Sequence, residues 1–135
     1  MAYPLVQRRL LPEGGPFAPT ATVTTVIGRV GTEPSGERVI GASCRVIQAG
    51  NGTGTVSLGK GGTVTAFMTT ANVGAGVAGV KKTAAGADLA GNGSEYATAT
   101  TVVADYIVGT NTVHPIVRFC LLVVAGDTWD DMLGV

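Results

Sequence analysis

From Thr20 to Val124 apolar and polar residues alternate with a period near two, which marks half-buried β-strands. The run TATVTTVIGRV (20–30), rich in Val and Thr, predicts a first strand, and GTEPSGE (31–37) breaks it. In RVIGASCRVIQ (38–48) the alternation places Ile40, Ala42, Cys44 and Val46 on one face and Ser43 and Arg45 on the other. The following AGNGTG (49–54) predicts a hairpin, with Asn51-Gly52 supplying the positive φ of a type I′ turn. TVSL (55–58) is then the return strand, with Val56 and Leu58 inward. VTAFMTTAN (64–72) breaks the pattern: Val64, Phe67 and Met68 have helical spacing and predict one or two short helical turns. A short strand is read at VAGVKK (77–82), followed by a long loop over 83–96 of the kind that carries variable contacts. ATATTVVADYIVG (97–109) sets Val102, Ala104, Tyr106 and Val108 against Thr101, Val103, Asp105 and Ile107. In TVHPIVRFCLLVV (112–124) Val113, Val117, Phe119, Leu121 and Val123 share a face, opposite His114, Ile116, Arg118 and Cys120. The end of this strand is apolar on both faces, as in a strand central to its sheet or covered by a partner. Pro115 cannot donate to a ladder and marks an edge or a bulge.

The two ends read differently. Pro4, Pro12, Pro16 and Pro19, with Gly14 and Gly15, exclude a regular helix or a central strand over 1–19. Leu5, Val6, Leu10, Leu11 and Phe17 nevertheless make this stretch too apolar for a solvated tail, so it is expected to lie along a surface as an extended arm. At the other end, Trp129, Met132 and Leu133 have the spacing of one helical turn, with Asp127 or Thr128 as its cap. The expected organisation is an arm over 1–19, a sandwich over 20–125 and a tail over 126–135. The fold class is all-β: an antiparallel, jelly-roll-like sandwich with one short helix and an extended N-terminal arm. Alternation by itself is shared by jelly rolls and immunoglobulin-like sandwiches.

Composition narrows the function classes. The 135 residues suit one domain; 45% are hydrophobic and 13% charged, against about 25% charged in ordinary soluble domains. Nine basic and nine acidic residues cancel, so no net field draws nucleic acid or an anionic membrane. A neutral, charge-poor surface favours contact with other subunits. Two cysteines make neither a disulfide scaffold nor a metal site. No apolar run reaches the ~18 residues of a membrane helix. The start, MAYPLVQRRLLPEGG, lacks a secretory h-region, so synthesis in a cytoplasm is expected. The glycosylation patterns at Asn51 and Asn92 are then read as Asn-Gly turns.

The stretch GTVSLGKGG (54–62) approaches a nucleotide-binding loop, G-x-x-x-x-G-K followed by Ser or Thr. Gly54, Gly59 and Lys60 match, but Gly61 replaces the hydroxyl that would meet Mg²⁺, and no helix or β–α crossover follows. The glycines are read as turn chemistry. His114 is the single histidine and has no evident partner for general base work. Cys44 falls on the core face and Cys120 on the Arg118 face, so a disulfide between them is not expected. Asp127, Asp130 and Asp131 lack the spacing of a Ca²⁺ loop. Aromatics, at 5%, form no stacking platform. No catalytic residue, cofactor or metal site is expected.

The order from Gly36 to Ala125 resembles small all-β structural proteins of tailed-bacteriophage virions, above all capsid decoration (cement) proteins. The residues carrying the resemblance are GERVIGASCRVI, the hairpin ending TVSLGKGG, the segment TAFMTTANV, then AGVKK, a Gly-rich loop and two Val/Thr strands closing on VRFCLLVVAG. The resemblance implies a homotrimer on the capsid exterior that ties neighbouring major capsid proteins together without catalysis, direct nucleic-acid contact or a membrane. Its capsid-gripping arm would correspond to residues 1–19. Candidate capsid or subunit contacts are Leu5, Val6, Arg8, Arg9, Leu10, Leu11 and Phe17, with Trp129, Met132 and Leu133 in the tail. The alternative is a head-fibre or tail-associated module binding host glycan through loop 83–96, where Tyr96 is the available aromatic.

Overall fold

The computed structural model describes residues 6–32, 36–89 and 93–126. Nine strands are described: β1 (Val6–Leu11), β2 (Val23–Val30), β3 (Glu37–Gln48), β4 (Thr55–Lys60), β5 (Thr63–Asn72), β6 (Gly79–Lys81), β7 (Ser94–Tyr96), β8 (Thr100–Ile107) and β9 (Ile116–Ala125). A single 3₁₀ turn, Ala87–Leu89, lies between β6 and β7.

The strands form two antiparallel sheets packed as a sandwich. One has the order β1-β9-β3-β6, with β7 also pairing β3; the other is β2-β8-β4-β5. The pairs β1·β9, β2·β8, β3·β6 and β4·β5 are those of a long antiparallel ribbon folded over on itself. That is a jelly roll, and it resolves the topology that alternation left open.

The inner faces supply the core. Val117, Phe119, Leu121 and Val123 of β9 face Val102, Ala104 and Tyr106 of β8 and Leu58 of β4, all of them buried. The faces read from sequence for β8 and β9 therefore hold, except that Val113 is 48% exposed and precedes the strand. Cys44 is buried on the inner face, and its thiol is pushed up to about 11, chiefly by burial. Both cysteines are free.

Four expectations are corrected. Residues 64–72 are not helical but lie within β5, which pairs β4 from Thr55↔Asn72 to Lys60↔Thr63. Irregularities at Val56/Leu58 and Leu58/Lys60 shift the phase of β5, so that Ala66, Phe67 and Met68 are all buried and imitate helical spacing. The tight turn of this region is Gly61-Gly62, where Gly62 takes φ +85°, a conformation that only glycine adopts without strain.

AGNGTG is not a hairpin turn. β3 belongs to one sheet and β4 to the other, so residues 49–54 cross the sandwich, and neither Asn51 nor Gly52 has positive φ. Asn51 instead accepts hydrogen bonds from the backbone N–H groups of Thr112 and Val113, tying this crossing to the one before β9. Ile40, expected inward, sits where a bulge between Val39 and Gly41 turns it out of the inner row.

Residues 6–11, expected without regular structure, form an edge strand along β9, from Val6↔Val124 to Leu11↔Phe119. The prolines stop the strand rather than prevent it: Pro12 follows its last residue. Phe17 then makes an isolated bridge to Val117 and packs its ring 6.1 Å from that of Phe119.

Candidate interaction surface

β1 alternates like any strand. Gln7, Arg9 and Leu11 pair with inward positions of β9, while Val6, Arg8 and Leu10 pair with Val124, Leu122 and Cys120 on the outside. Leu11 is fully buried and Phe17 is 6% exposed, so both belong to the chain's own core. Val6 and Leu10 are exposed and Arg8 lies between them on the outer face.

Arg9 points inward and meets the carboxylate of Glu37, which is itself buried. The pair is bidentate: Nη1 donates to Oε1 at 3.1 Å and Nη2 to Oε2 at 2.7 Å. Glu37 Oε1 also accepts from the N–H of Gly31 at 2.8 Å and of Thr32 at 3.4 Å, and Arg9 donates to the Arg29 carbonyl at 3.2 Å. The hydrogen bond from Arg9 holds the Glu37 carboxyl below the usual range, although burial acts in the opposite direction. One ion pair therefore joins β1, the end of β2 and the start of β3.

The outer face of the first sheet carries a groove of about 1020 Å³. Its apolar lining is Leu10, Ile40, Ile47, Val80 and Leu122, and its cations are Arg8, Arg45, Lys82 and Arg118. β7 pairs β3 only at Glu37–Val39 and β6 only at Cys44–Val46, which leaves a notch beside Ile40–Ser43. Through this notch the groove reaches Phe67 and Leu89 of the interior. Among the described residues no carboxylate lines the groove and none pairs with these four cations. Arg118 Nε is buried there with no hydrogen-bond partner among the described residues.

Lys60, the residue that gave the nucleotide-loop match, pairs with Asp88 at 2.6 Å and lies 5.6 Å from the Tyr96 ring centre. Hydrogen bonds from Lys60, then Tyr96, hold Asp88 below the usual carboxylate range, while burial first and Asp88 second push the Tyr96 phenol up. The ring of Tyr96 is buried edge-on against Phe67 at 5.8 Å, so it offers no face for a sugar to stack upon. His114 Nδ1 lies 3.0 Å from the Tyr106 hydroxyl, which accepts from Asn111 Nδ2 at 3.0 Å. Asn111 Oδ1 in turn accepts from the N–H groups of Gly52 and Gly54, making His114 part of a loop clamp. Among the described residues no group of His, Cys, Asp or Glu is arranged to hold a metal ion.

Of the contacts expected in the N-terminal stretch, Val6, Arg8 and Leu10 lie on the outer face while Arg9, Leu11 and Phe17 turn inward, and the groove was not read at all, because its walls come from strands that are neighbours only in the fold. Leu5, Trp129, Met132 and Leu133, together with Asp127, Asp130 and Asp131, lie outside the described residues.

The chain is similar in fold to a chain of the cyanophage Pam1 capsid asymmetric unit, with a TM-score of 0.59 and 16% identity over 90% of this chain and 86% of that one. It is also similar to a chain of the acidic stable capsid structure of Helicobacter pylori bacteriophage KHP30, with a TM-score of 0.50 and 15% identity over 90% and 94% of the two chains. No protein-family model and no curated protein matches it.

Proposed function

We propose that the chain is a non-enzymatic structural protein of a phage virion, which decorates and stabilises the capsid by bridging major capsid proteins, as a homotrimer. The carrying observation is the jelly-roll likeness to chains of two phage capsid structures, which spans nearly the whole of each partner. The molecule's physical chemistry is compatible with this role. Cementing draws on area summed over many contacts rather than on a reactive pocket. The exposed Val6, Leu10, Val26 and Ile107 on a charge-poor surface offer such area.

The contacts proposed at the N-terminus narrow to the outer row of β1, namely Val6, Arg8 and Leu10, since Leu11 and Phe17 are in the core. Arg8 adds a charge-assisted anchor for acidic capsid surface.

The test is to add the purified chain to undecorated shells of the parent phage and measure co-sedimentation and copy number, beside native mass over a concentration range. Saturable binding in groups of three supports the reading. Failure to bind shells at any concentration refutes it. Val6→Glu, at a position 46% exposed, is expected to weaken shell binding with the fold intact.

A further inference from the structure

We propose that the groove on the outer face of the first sheet receives an extended segment of the major capsid protein, one that combines acidic with large apolar side chains. The proposal rests on the capsid reading and adds to it the gripping surface and the chemistry of the partner.

The groove is built by strand register. Leu10, Cys120 and Ser43 lie in one row across β1, β9 and β3, and Arg118, Arg45 and Val80 lie in the next row across β9, β3 and β6. Cys120 and Ser43, with Gly41 beside them, make a floor of small residues between Leu10 of β1 and the Val80–Lys82 side. The trough follows β3 from Ile40 to Ile47, about 23 Å at strand rise, the length of about seven extended residues.

Two features of the trough call for an anion. Arg45 and Arg118 are directly opposed on neighbouring strands, where like charges repel. Arg118 Nε is buried with no hydrogen-bond partner among the described residues, and a buried donor left unmatched is costly. One carboxylate between the two guanidiniums answers both through charge-assisted hydrogen bonds. No carboxylate among the described residues lines the groove, and Arg8 and Lys82 add two further cations to it.

The other contacts are apolar. Leu10 is 52% exposed, Ile47 54% and Val80 64%, and exposed apolar surface gathered in one groove marks a docking site. A small anion would match the arginines and leave this surface in water, whereas an acidic and apolar chain segment covers both. The described part of a second copy offers no such segment, because its acids are engaged. Glu37, Asp88 and Glu95 are held in ion pairs and Asp105 accepts from Thr24, which leaves Glu13 in a turn.

Co-sedimentation with undecorated shells of the parent phage tests the proposal. Arg45→Glu and Val80→Glu alter exposed side chains of the groove and are each expected to weaken shell binding by about tenfold or more, with far-ultraviolet dichroism unchanged. Thr70→Glu, an exposed change on β5 of the other sheet, should bind as the unaltered chain does. A photoreactive benzoylphenylalanine at position 80, irradiated on shells, reads the occupant by mass spectrometry. The expected product joins it to a segment of the major capsid protein that carries Asp or Glu among large apolar residues. Changing that acid to Lys should restore binding of Arg45→Glu.

Failure of the unaltered chain to bind shells overturns the capsid reading and this proposal with it. Binding that survives Arg45→Glu and Val80→Glu alike overturns the proposal and leaves the capsid reading standing. So does a cross-link to a second copy of this chain, to a basic segment or to nucleic acid.

Discussion

Replacing Arg9 by Met keeps the length and apolar stem of the side chain and removes the charge that faces Glu37. In the native fold the Glu37 side chain is 2% exposed and Arg9 19%. Removing one partner of a buried, hydrogen-bonded pair costs about 3–5 kcal/mol, because the other charge remains buried without compensation. Arg9 keeps some solvent contact and Glu37 retains two backbone donors, so the low end, about 3 kcal/mol, is expected here. For a domain of this size 1 kcal/mol moves Tm by roughly 3–5 °C, so thermal unfolding should fall by about 10–15 °C.

The pH dependence supplies a sharper check. Glu37 is held below its ordinary value of about 4.5, first by the hydrogen bond from Arg9 and against the effect of burial. A depressed carboxyl contributes stability that is fully present above its unfolded pKa and is lost as pH falls through its folded value. In Arg9→Met the main depressing interaction is absent and burial remains, so protonation relieves Glu37 instead of weakening the fold. The stability gap between the two proteins should therefore be largest near pH 6–7 and narrow as pH drops toward 3. Calorimetric or dichroism melts across that range decide it. A gap below about 1 kcal/mol at pH 7, the worth of an exposed pair, would refute the argument that burial makes this ion pair matter. A gap that stays constant down to pH 3 would refute the assignment of the effect to Glu37.

Tyr106→Phe removes the hydroxyl shared by His114 and Asn111, and leaving Asn111 Nδ2 unmatched in a buried site should cost about 1–3 kcal/mol by denaturant titration. Cys44, with its thiol pushed up to about 11 and its side chain buried, should resist iodoacetamide at pH 8 in the native protein and react after unfolding, as read by peptide mass spectrometry. Gly31 has φ +79°, and an added Cβ would come within 2.2 Å of the Thr98 carbonyl oxygen, so Gly31→Ala should destabilise by about 1–3 kcal/mol, where the same change at an unstrained glycine would stabilise. Equal melting temperatures for Gly31→Ala and the unaltered chain would show that this turn relaxes freely.

Much of the sandwich was legible because strand alternation survives wherever a strand runs straight. β8 keeps Val102, Ala104 and Tyr106 on one face without interruption, and β9 keeps Val117, Phe119, Leu121 and Val123. Legibility failed where the ladder is irregular. In β5 the register slips and three consecutive residues are buried, so period two gave way to something like a helical repeat. The glycine pair at 61–62, flanked by alternating residues, is a hairpin signal that outweighs that spacing. Asn51-Gly52 failed in the reverse sense: a good turn dipeptide cannot tell a hairpin from a crossing between sheets, since both reverse the chain. β1 was obscured by its neighbours, because Pro4 and Pro12 flank a stretch of seven residues, the last six of which form the strand, without falling inside it.

Net charge shows how a correct total can conceal a site. Nine positive and nine negative residues imply no field at long range, yet the fold sorts them. Arg9–Glu37, Arg38–Glu95 and Lys60–Asp88 each join segments distant in sequence and pair three of the nine cations with three of the nine acids. Arg8, Arg45, Lys82 and Arg118 then collect on one apolar groove, while three of the nine acids stand together after β9. Segregation of this kind acts at short range, within the ~8 Å over which salt leaves charges visible to one another. It favours a partner that is both acidic and apolar over a nucleic-acid backbone, which would meet the cations but leave Leu10, Ile47 and Val80 in water. A groove that is cationic and apolar at once thus selects for partners that match it on both counts.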